Sequence, residues 1–360
     1  MQIAVIEGDD AAPEAMKPSV ELIDSLSVDL GLGIKWVYPL IGEPALSEYG
    51  TTFPDQAKVV IDQSDTTFFG STSGFASRAL FYLRWGKQTY ANVRPCRYLE
   101  GARSPLAKPD NIDFVIVREN LEDLYVRVEG ELSDLAGLNL TSGTARRSMS
   151  ELGDGRFAIK AITREGTERI VRHAFHLAEQ RAGHGGRQPS VTCTTKYNML
   201  TQSDGYFVEI ARDLAADFPD VSFNTYIIDD FACRMITQPQ FFDVVVMPNL
   251  YGDIMSDAAA GLIGGLGLAP SGCFGDNFAY FESAHGTAPD IQGKNVINPT
   301  ATLLSGAMML DYLGFTEASQ RLDRAIVNTY QEGLDLTPDQ GGDASTTQFC
   351  EAVRRFLQLD

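Results

Sequence analysis

Asp253 and Asp257 stand four residues apart in the stretch Asn249-Leu250-Tyr251-Gly252-Asp253-Ile254-Met255-Ser256-Asp257. A helix beginning near Gly252 sets both carboxylates on one face, one turn apart. With one more acid from elsewhere, such a pair suits a hard divalent cation that takes oxygen ligands and keeps positions open for substrate. Equally, acids in a first turn simply stabilise a solvated helix start. Three arginines, Arg84, Arg94 and Arg118, closely follow strand or helix patterns. Guanidiniums so placed make bidentate clamps for carboxylates, although a single arginine more often sits in a surface pair. The small residues of Gly70-Ser71-Thr72-Ser73-Gly74 follow a strand pattern and could admit cofactor phosphates or amide. No GxGxxG lies in a strand-to-helix context, so a Rossmann dinucleotide site is not supported.

These residues need elements to hold them. The apolar run 241–247, with Val244-Val245-Val246 inside it, predicts a buried strand leading into a turn at Pro248-Asn249. Carboxylates just past the carboxyl end of a strand lie where open α/β sheets place ligands. Further strands are predicted at 3–6, 34–38, 66–70, 114–117, 190–194 and 223–228, the last ending at Asp229-Asp230. Helices are predicted from Pro13 to about 26, then at 54–61, from about 162 to 177, at 204–216, and at 301–313 with Gly314 as its cap. Thr316 is the expected N-cap of a further helix, and a last helix follows the loop that starts at Thr337. Residues 127–157 are polar and rich in Gly and Ser, and predict an arm or extended hairpin. Residues 183–188 read as a loop, and 258–269, with four glycines, as a backbone-rich turn. Strands alternating with helices indicate an α/β fold.

The chain of 360 residues is 44% hydrophobic and 21% charged, which suffices for two domains or one large one. A net charge of −19 argues against non-specific binding to nucleic acid or to an anionic membrane. A small anionic substrate therefore needs a local basic cluster working against that field. Five scattered cysteines with no CxxC predict reduced thiols in a cytoplasmic protein. Met1 leads straight into a strand pattern, and neither a signal peptide nor a membrane span is expected.

Taken in order and spacing, several blocks match a known family. They are 249–257 with the trailing Gly264-Gly265-Leu266-Gly267, 90–95, 118–125, and 285–290 with Asn298-Pro299. From Gly8 to about Thr346 the chain resembles the β-decarboxylating dehydrogenases of the isocitrate/3-isopropylmalate dehydrogenase family. The resemblance implies a two-domain α/β fold that is not Rossmann-like. Residues 1–98 and 262–360 would form a large cofactor-binding domain. Residues 99–261 would form a smaller domain with the dimer interface and an arm at about 127–160. It also implies a homodimer or larger assembly in which two subunits build each active site.

Carried over by position, the resemblance implies that Arg84, Arg94 and Arg118 grip the carboxylates of a malate and that Tyr125 protonates the enolate. Lys196 would reach in from the partner subunit and act on the hydroxyl proton. Asp229 would join Asp253 and Asp257 across the interface as ligands of Mg²⁺ or Mn²⁺. A metal-chelated 2-hydroxy acid has a lowered hydroxyl pKa, and its polarised oxygen is an electron sink when CO₂ leaves. A Lys196 desolvated beside cations would titrate low enough to serve as base. His285, Gly286, Thr287, Ala288 and Asn298 match the adenosine-binding loop, and Asp290 stands where NADP-dependent members carry lysine. A carboxylate there accepts from ribose hydroxyls and repels a 2′-phosphate, so NAD is the expected cofactor.

The chain departs from the family pattern at three places. Asp10 and Ala12 replace glycines of the first loop, which must differ if those positions need positive φ. That leaves room for a non-catalytic regulatory subunit. Leu121 and Asp123 replace the usual Thr and Gly. Arg78 and Leu80 stand where isocitrate enzymes usually have Ser and Asn. Leu80-Phe81 is apolar as in isopropylmalate enzymes, whereas Arg78 could hold a third carboxylate. The same run is similar to homoisocitrate enzymes, and residues 306–311 resemble tartrate and D-malate dehydrogenases. The expected activity is oxidative decarboxylation of a 3-substituted malate, a 2-hydroxy di- or tricarboxylate.

Overall fold

The computed structural model describes residues 1–185 and 187–358. Its strands are β1 (Gln2–Ile6), β2 (Lys35–Val37), β3 (Thr66–Phe69), β4 (Ala91–Arg97), β5 (Asp113–Glu119), β6 (Glu129–Glu131), β7 (Arg156–Ala158), β8 (Ser190–Thr195), β9 (Ser222–Ile227), β10 (Val244–Met247), β11 (Pro270–Phe274) and β12 (Ala279–Ser283). Its helices are α1 (Ala12–Asp29), α2 (Glu43–Tyr49), α3 (Asp55–Asp62), α4 (Ser77–Phe81), α5 (Arg164–Gly185), α6 (Asp204–Ala215), α7 (Ile228–Thr237), α8 (Asn249–Ile263), α9 (Thr300–Tyr312), α10 (Thr316–Glu332) and α11 (Thr346–Leu357). Ten strands form one sheet in the order β2-β1-β3-β12-β11-β4-β5-β10-β8-β9. Both wings are parallel, while β12, β11, β4 and β5 run antiparallel in the middle.

Helices cover both faces, as a sheet with unbroken apolar strands requires. All four residues of β10 are buried. α9 lies on β11 and β12 with α1 and α10 against it, and α11 packs on α1 and α10. α9 is buried from Thr300 to Ala307, so it reads as apolar without an amphipathic face. α5 packs over β5, β8 and β10, α6 packs on α5 and β8, and α8 crosses β4 and β5. The expected arm is a separate two-stranded ribbon in which Gly130 of β6 faces Phe157 of β7. All five cysteines are unpaired. Among the described residues, no helix is long and apolar enough to cross a membrane.

Several expectations need correction. Residues 258–263 are the second half of α8, and the turn begins only at Gly264 and Gly265, both at φ near +120°. α8 starts at Asn249 rather than near Gly252. The run 183–188 is not a loop throughout: α5 continues to Gly185, and residue 186 lies outside the described residues. β9 stops at Ile227, and α7 begins at once, so Asp229 and Asp230 are first-turn acids rather than a strand end. Thr316 is the first residue of α10 and not its cap. Phe315 occupies the cap, and the Thr316 hydroxyl donates to Asp311 instead.

The first loop keeps a glycine-like path despite its substitutions. Asp10 adopts φ +53°, a left-handed conformation that aspartate tolerates. Ala12 is already helical and needs no glycine. Gly8, at φ +86°, is the strict position, because a Cβ there would collide with the Ser71 carbonyl oxygen. Gly8→Ala is expected to destabilise the fold by about 2–4 kcal/mol through backbone strain and overpacking. A urea midpoint unchanged from wild type would refute this reading of the loop.

Candidate active site

β4 and β5 lie side by side with Asn92 opposite Arg118 and Arg94 opposite Ile116. α8 can cross them closely because residue 252 is glycine: a Cβ there would lie 2.5 Å from the Arg118 side chain. That approach brings Asp253, Ser256 and Asp257 over the arginines. Arg118 is fully buried, and its Nε and Nη2 donate to Oδ1 of Asn249 at 2.9 and 2.7 Å while Nη1 pairs with Asp253. Arg94 donates through Nη1 to Ser256 at 2.6 Å and to Asp257 at 3.2 Å, and through Nε to Asn92. Arg84 comes from a π-helical turn, Tyr82–Gly86, and donates to Tyr280 and to Glu282, at 3.1 and 3.3 Å. Among the described residues, Arg84 Nη1 and Arg94 Nη2 have no hydrogen-bond partner. Tyr125 sits in a 3₁₀ turn, Leu124–Val126; its hydroxyl donates to Oδ2 of Asp253 at 2.5 Å and the Arg118 guanidinium lies 5.1 Å from its ring.

The charges hold one another in place. Burial acts to raise the Asp253 carboxyl, but Arg118, the Tyr125 hydroxyl and Arg94 outweigh it and hold it below the usual carboxylate range. Burial lifts Asp257 above that range against the pull of Arg94. Burial and the bond to Asp253 raise the Tyr125 phenol, with Arg118 opposing. Burial, followed by repulsion from Arg94, pushes Arg118 down to about 10. The cluster thus offers two free guanidinium edges for carboxylates, two acids on one helix face, and a phenol beside them.

Lys196 and Asp229 are not in this cluster. Lys196 follows β8, and its Nζ pairs with Asp229 in the first turn of α7. Among the described residues, no hydrogen bond or ion pair links either one to the three arginines, Tyr125, Asp253 or Asp257. Within one chain the ion-pair partner of Lys196 is a carboxylate, and the cations expected beside it belong to a second copy. Nor does any group of three acids, histidines or cysteines among the described residues assemble a metal site.

α4 and the turn after it lead directly into Arg84. Phe81 is 41% exposed and packs against Trp85 at 5.4 Å. Leu80 leans into the core cluster around Phe69 and Tyr280. Arg78 donates only to the Thr51 hydroxyl. Arg127, which the sequence reading passed over, stands at φ +56° with its guanidinium 5.7 Å from the Phe81 ring. Among the described residues, neither arginine has an acidic partner.

A cavity of about 330 Å³ opens between His285, Gly286, Ala288, Ile297, Asn298 and Asp339. His285 Nδ1 lies 2.7 Å from the Gly286 carbonyl, which requires the proton on Nδ1. Its buried Nε2 is then an acceptor with no partner, and burial holds the ring below its ordinary pKa, so that acceptor persists at neutral pH. An exocyclic amine of a purine would satisfy it. Asp290 is exposed, and among the described residues only its backbone carbonyl is engaged by a side chain, that of Lys294. Three residues expected to contact the cofactor also have local partners. The Ser71 hydroxyl donates to the His285 carbonyl at 2.6 Å, Thr72 donates to Asp9, and the Asn298 amide bonds Tyr330 and Asp339. The Thr287 carbonyl accepts from Ala11, tying this loop to the first one. Glu14 also secures it by accepting from the backbone of Gly293 and Asn295.

A family model described as isocitrate/isopropylmalate dehydrogenase matches residues 2–353. A 3-isopropylmalate/3-methylmalate dehydrogenase of Methanocaldococcus jannaschii is 38% identical, with 99% of each chain covered. An isocitrate/homoisocitrate dehydrogenase of Thermus thermophilus is also 38% identical, over 99% of this chain and 98% of that one. The crystal structure of isocitrate dehydrogenase from Methylococcus capsulatus superposes with a TM-score of 0.84 at 35% identity, covering 99% of both chains.

Proposed function

The chain belongs to the isocitrate/isopropylmalate dehydrogenase family, and on that footing we propose that it is an NAD- and Mg²⁺- or Mn²⁺-dependent oxidative decarboxylase of a 3-substituted malate. The observation that carries the proposal is the convergence of Arg84, Arg94, Arg118, Tyr125, Asp253 and Asp257. The donor set suits a hard cation: Asp257 is half exposed and Asp253 more than a third. Asp229 of a second copy supplies the third carboxylate. The unpartnered His285 Nε2 suits an adenine, and the exposed Asp290 suits ribose hydroxyls. When bound, the cation polarises the substrate oxygen and the nicotinamide accepts the hydride.

The chain's own groups do the rest. The free edges of Arg84 and Arg94 hold the substrate carboxylates and fix C2 toward the cofactor. Lys196 of the partner copy takes the hydroxyl proton as hydride leaves. After CO₂ departs, Tyr125 returns a proton at C3. Exposed Val128, Leu138, Leu140, Leu152 and Ile159 on and around the β6–β7 ribbon support burial against a second copy. Arg78 and Arg127, which have no acidic partner among the described residues, favour a distal carboxylate, so an isocitrate-type substrate is preferred to an alkyl one.

The test is NADH formation with Mn²⁺ on isocitrate, homoisocitrate, 3-isopropylmalate, D-malate and tartrate, each with NAD and NADP. Turnover is expected with NAD, highest on a substrate with a distal carboxylate. Silence of folded, metal-loaded protein across the panel would contradict the proposal and favour a regulatory subunit. Preference for 3-isopropylmalate would instead assign the distal pocket to Leu80 and Phe81.

A further inference from the structure

Lys160 is 14% exposed and lies between two aspartates buried more deeply still. Its Nζ is 2.5 Å from Oδ1 of Asp204 and 3.4 Å from Oδ1 of Asp123. The Tyr251 ring sits 4.4 Å away and adds a cation–π contact. Each aspartate uses its other oxygen on the backbone of a residue at or near the proposed site. Oδ2 of Asp204 accepts from the Lys196 backbone N–H at 2.7 Å and from the Tyr251 hydroxyl at 2.9 Å. Oδ2 of Asp123 accepts at 2.9 Å from the N–H of Leu250, in the first turn of α8, three residues before Asp253. That turn leaves donors unsatisfied unless something caps them. Asp123 also stands two residues before Tyr125, at φ +65°. Its N–H donates to the Ala161 carbonyl at 2.9 Å, which fixes Lys160 beside it.

Among the described residues, Lys160 is the only cation paired with either aspartate. Without it, two buried carboxylates would share one region of low dielectric, which is costly. We propose that Lys160, with Asp123 and Asp204, is a positioning cluster that ties the Lys196 turn to the start of the helix bearing Asp253 and Asp257. The proposal rests on the function proposed above. Under that reading Lys196 acts in the partner's site and Tyr125 and Asp253 in their own, so one ammonium sets the geometry of two sites at once.

Two variants test it. Lys160→Met removes the shared cation. Asp123→Gly removes one carboxylate at a φ that suits glycine, so it keeps the fold intact. Hydrogen exchange is read on peptides spanning 193–199 and 247–254, alongside kcat and KM. Lys160→Met is expected to speed exchange in both peptides and to lower kcat about 100-fold, with KM changed less than about threefold. Asp123→Gly is expected to speed exchange only in 247–254 and to lower kcat about tenfold. Wild-type kcat in both variants, or unchanged exchange in both peptides, would overturn the proposal while leaving the assigned activity standing. If the unmodified protein turns over no malate-type substrate, the functional reading fails. Exchange alone then decides whether Lys160 joins the two segments.

Discussion

Lys196→Met is expected to lower kcat by about 10²–10⁴-fold, the range for removing a positioned proton acceptor. The fold should barely notice. The Lys196 side chain is 31% exposed and its partner Asp229 58% exposed, and surface pairs of this kind contribute little stability. On the proposed reading the pair matters for chemistry because it sits where two adjacent elements, β8 and α7, present it outward. Lys196 also holds the Asp229 carboxyl below the usual range, as the proposed ligand role requires. Calorimetry should therefore give a near-wild-type melting temperature while NADH formation at saturating substrate collapses. A loss of tenfold or less would assign the base elsewhere.

Arg118→Leu is expected to damage both stability and activity. Arg118 is 2% exposed, and all three of its guanidinium nitrogens are engaged by Asn249 and Asp253. Removing it leaves the Asn249 oxygen unsatisfied and Asp253 without its main counter-charge. Breaking a buried pair by deleting one partner costs about 3–5 kcal/mol. On the proposed reading kcat/KM should fall by at least about 10²-fold. Arg118→Lys restores charge but not the fork, so it should recover stability better than activity. Equal recovery of both would show that charge alone suffices.

Much of the fold was legible because its parallel strands are continuous apolar runs. Residues 3–6, 114–117 and 244–246 announce themselves this way. The central antiparallel strands do not. β4 carries the buried Asn92 and Arg94, and β11 carries Pro270, Ser271 and Gly272, so neither shows a period. Gly261 lies inside α8 and suggested a turn, yet tertiary packing carries the helix past it. In the site, the α8 acids and the arginines were legible by type and spacing. Asn249, Glu282 and Tyr280 were not, because each meets its arginine only once the chain is folded. The Asp123–Lys160–Asp204 cluster was invisible for the same reason: its members are far apart in sequence and meet only in the fold. Asn298, expected at the cofactor, also accepts from the Thr300 N–H at the start of α9, a local duty its type equally predicts.

The proposed active site is shared between two copies of the chain. Tyr125→Phe and Lys196→Met, each purified and each nearly inactive, should be mixed in equal amounts, and subunit exchange verified by native mass spectrometry. Half of the dimers then carry both changes on different chains, and one site in each retains both residues. Activity is predicted to recover to about a quarter of wild type. Complete exchange without recovery would contradict the shared site.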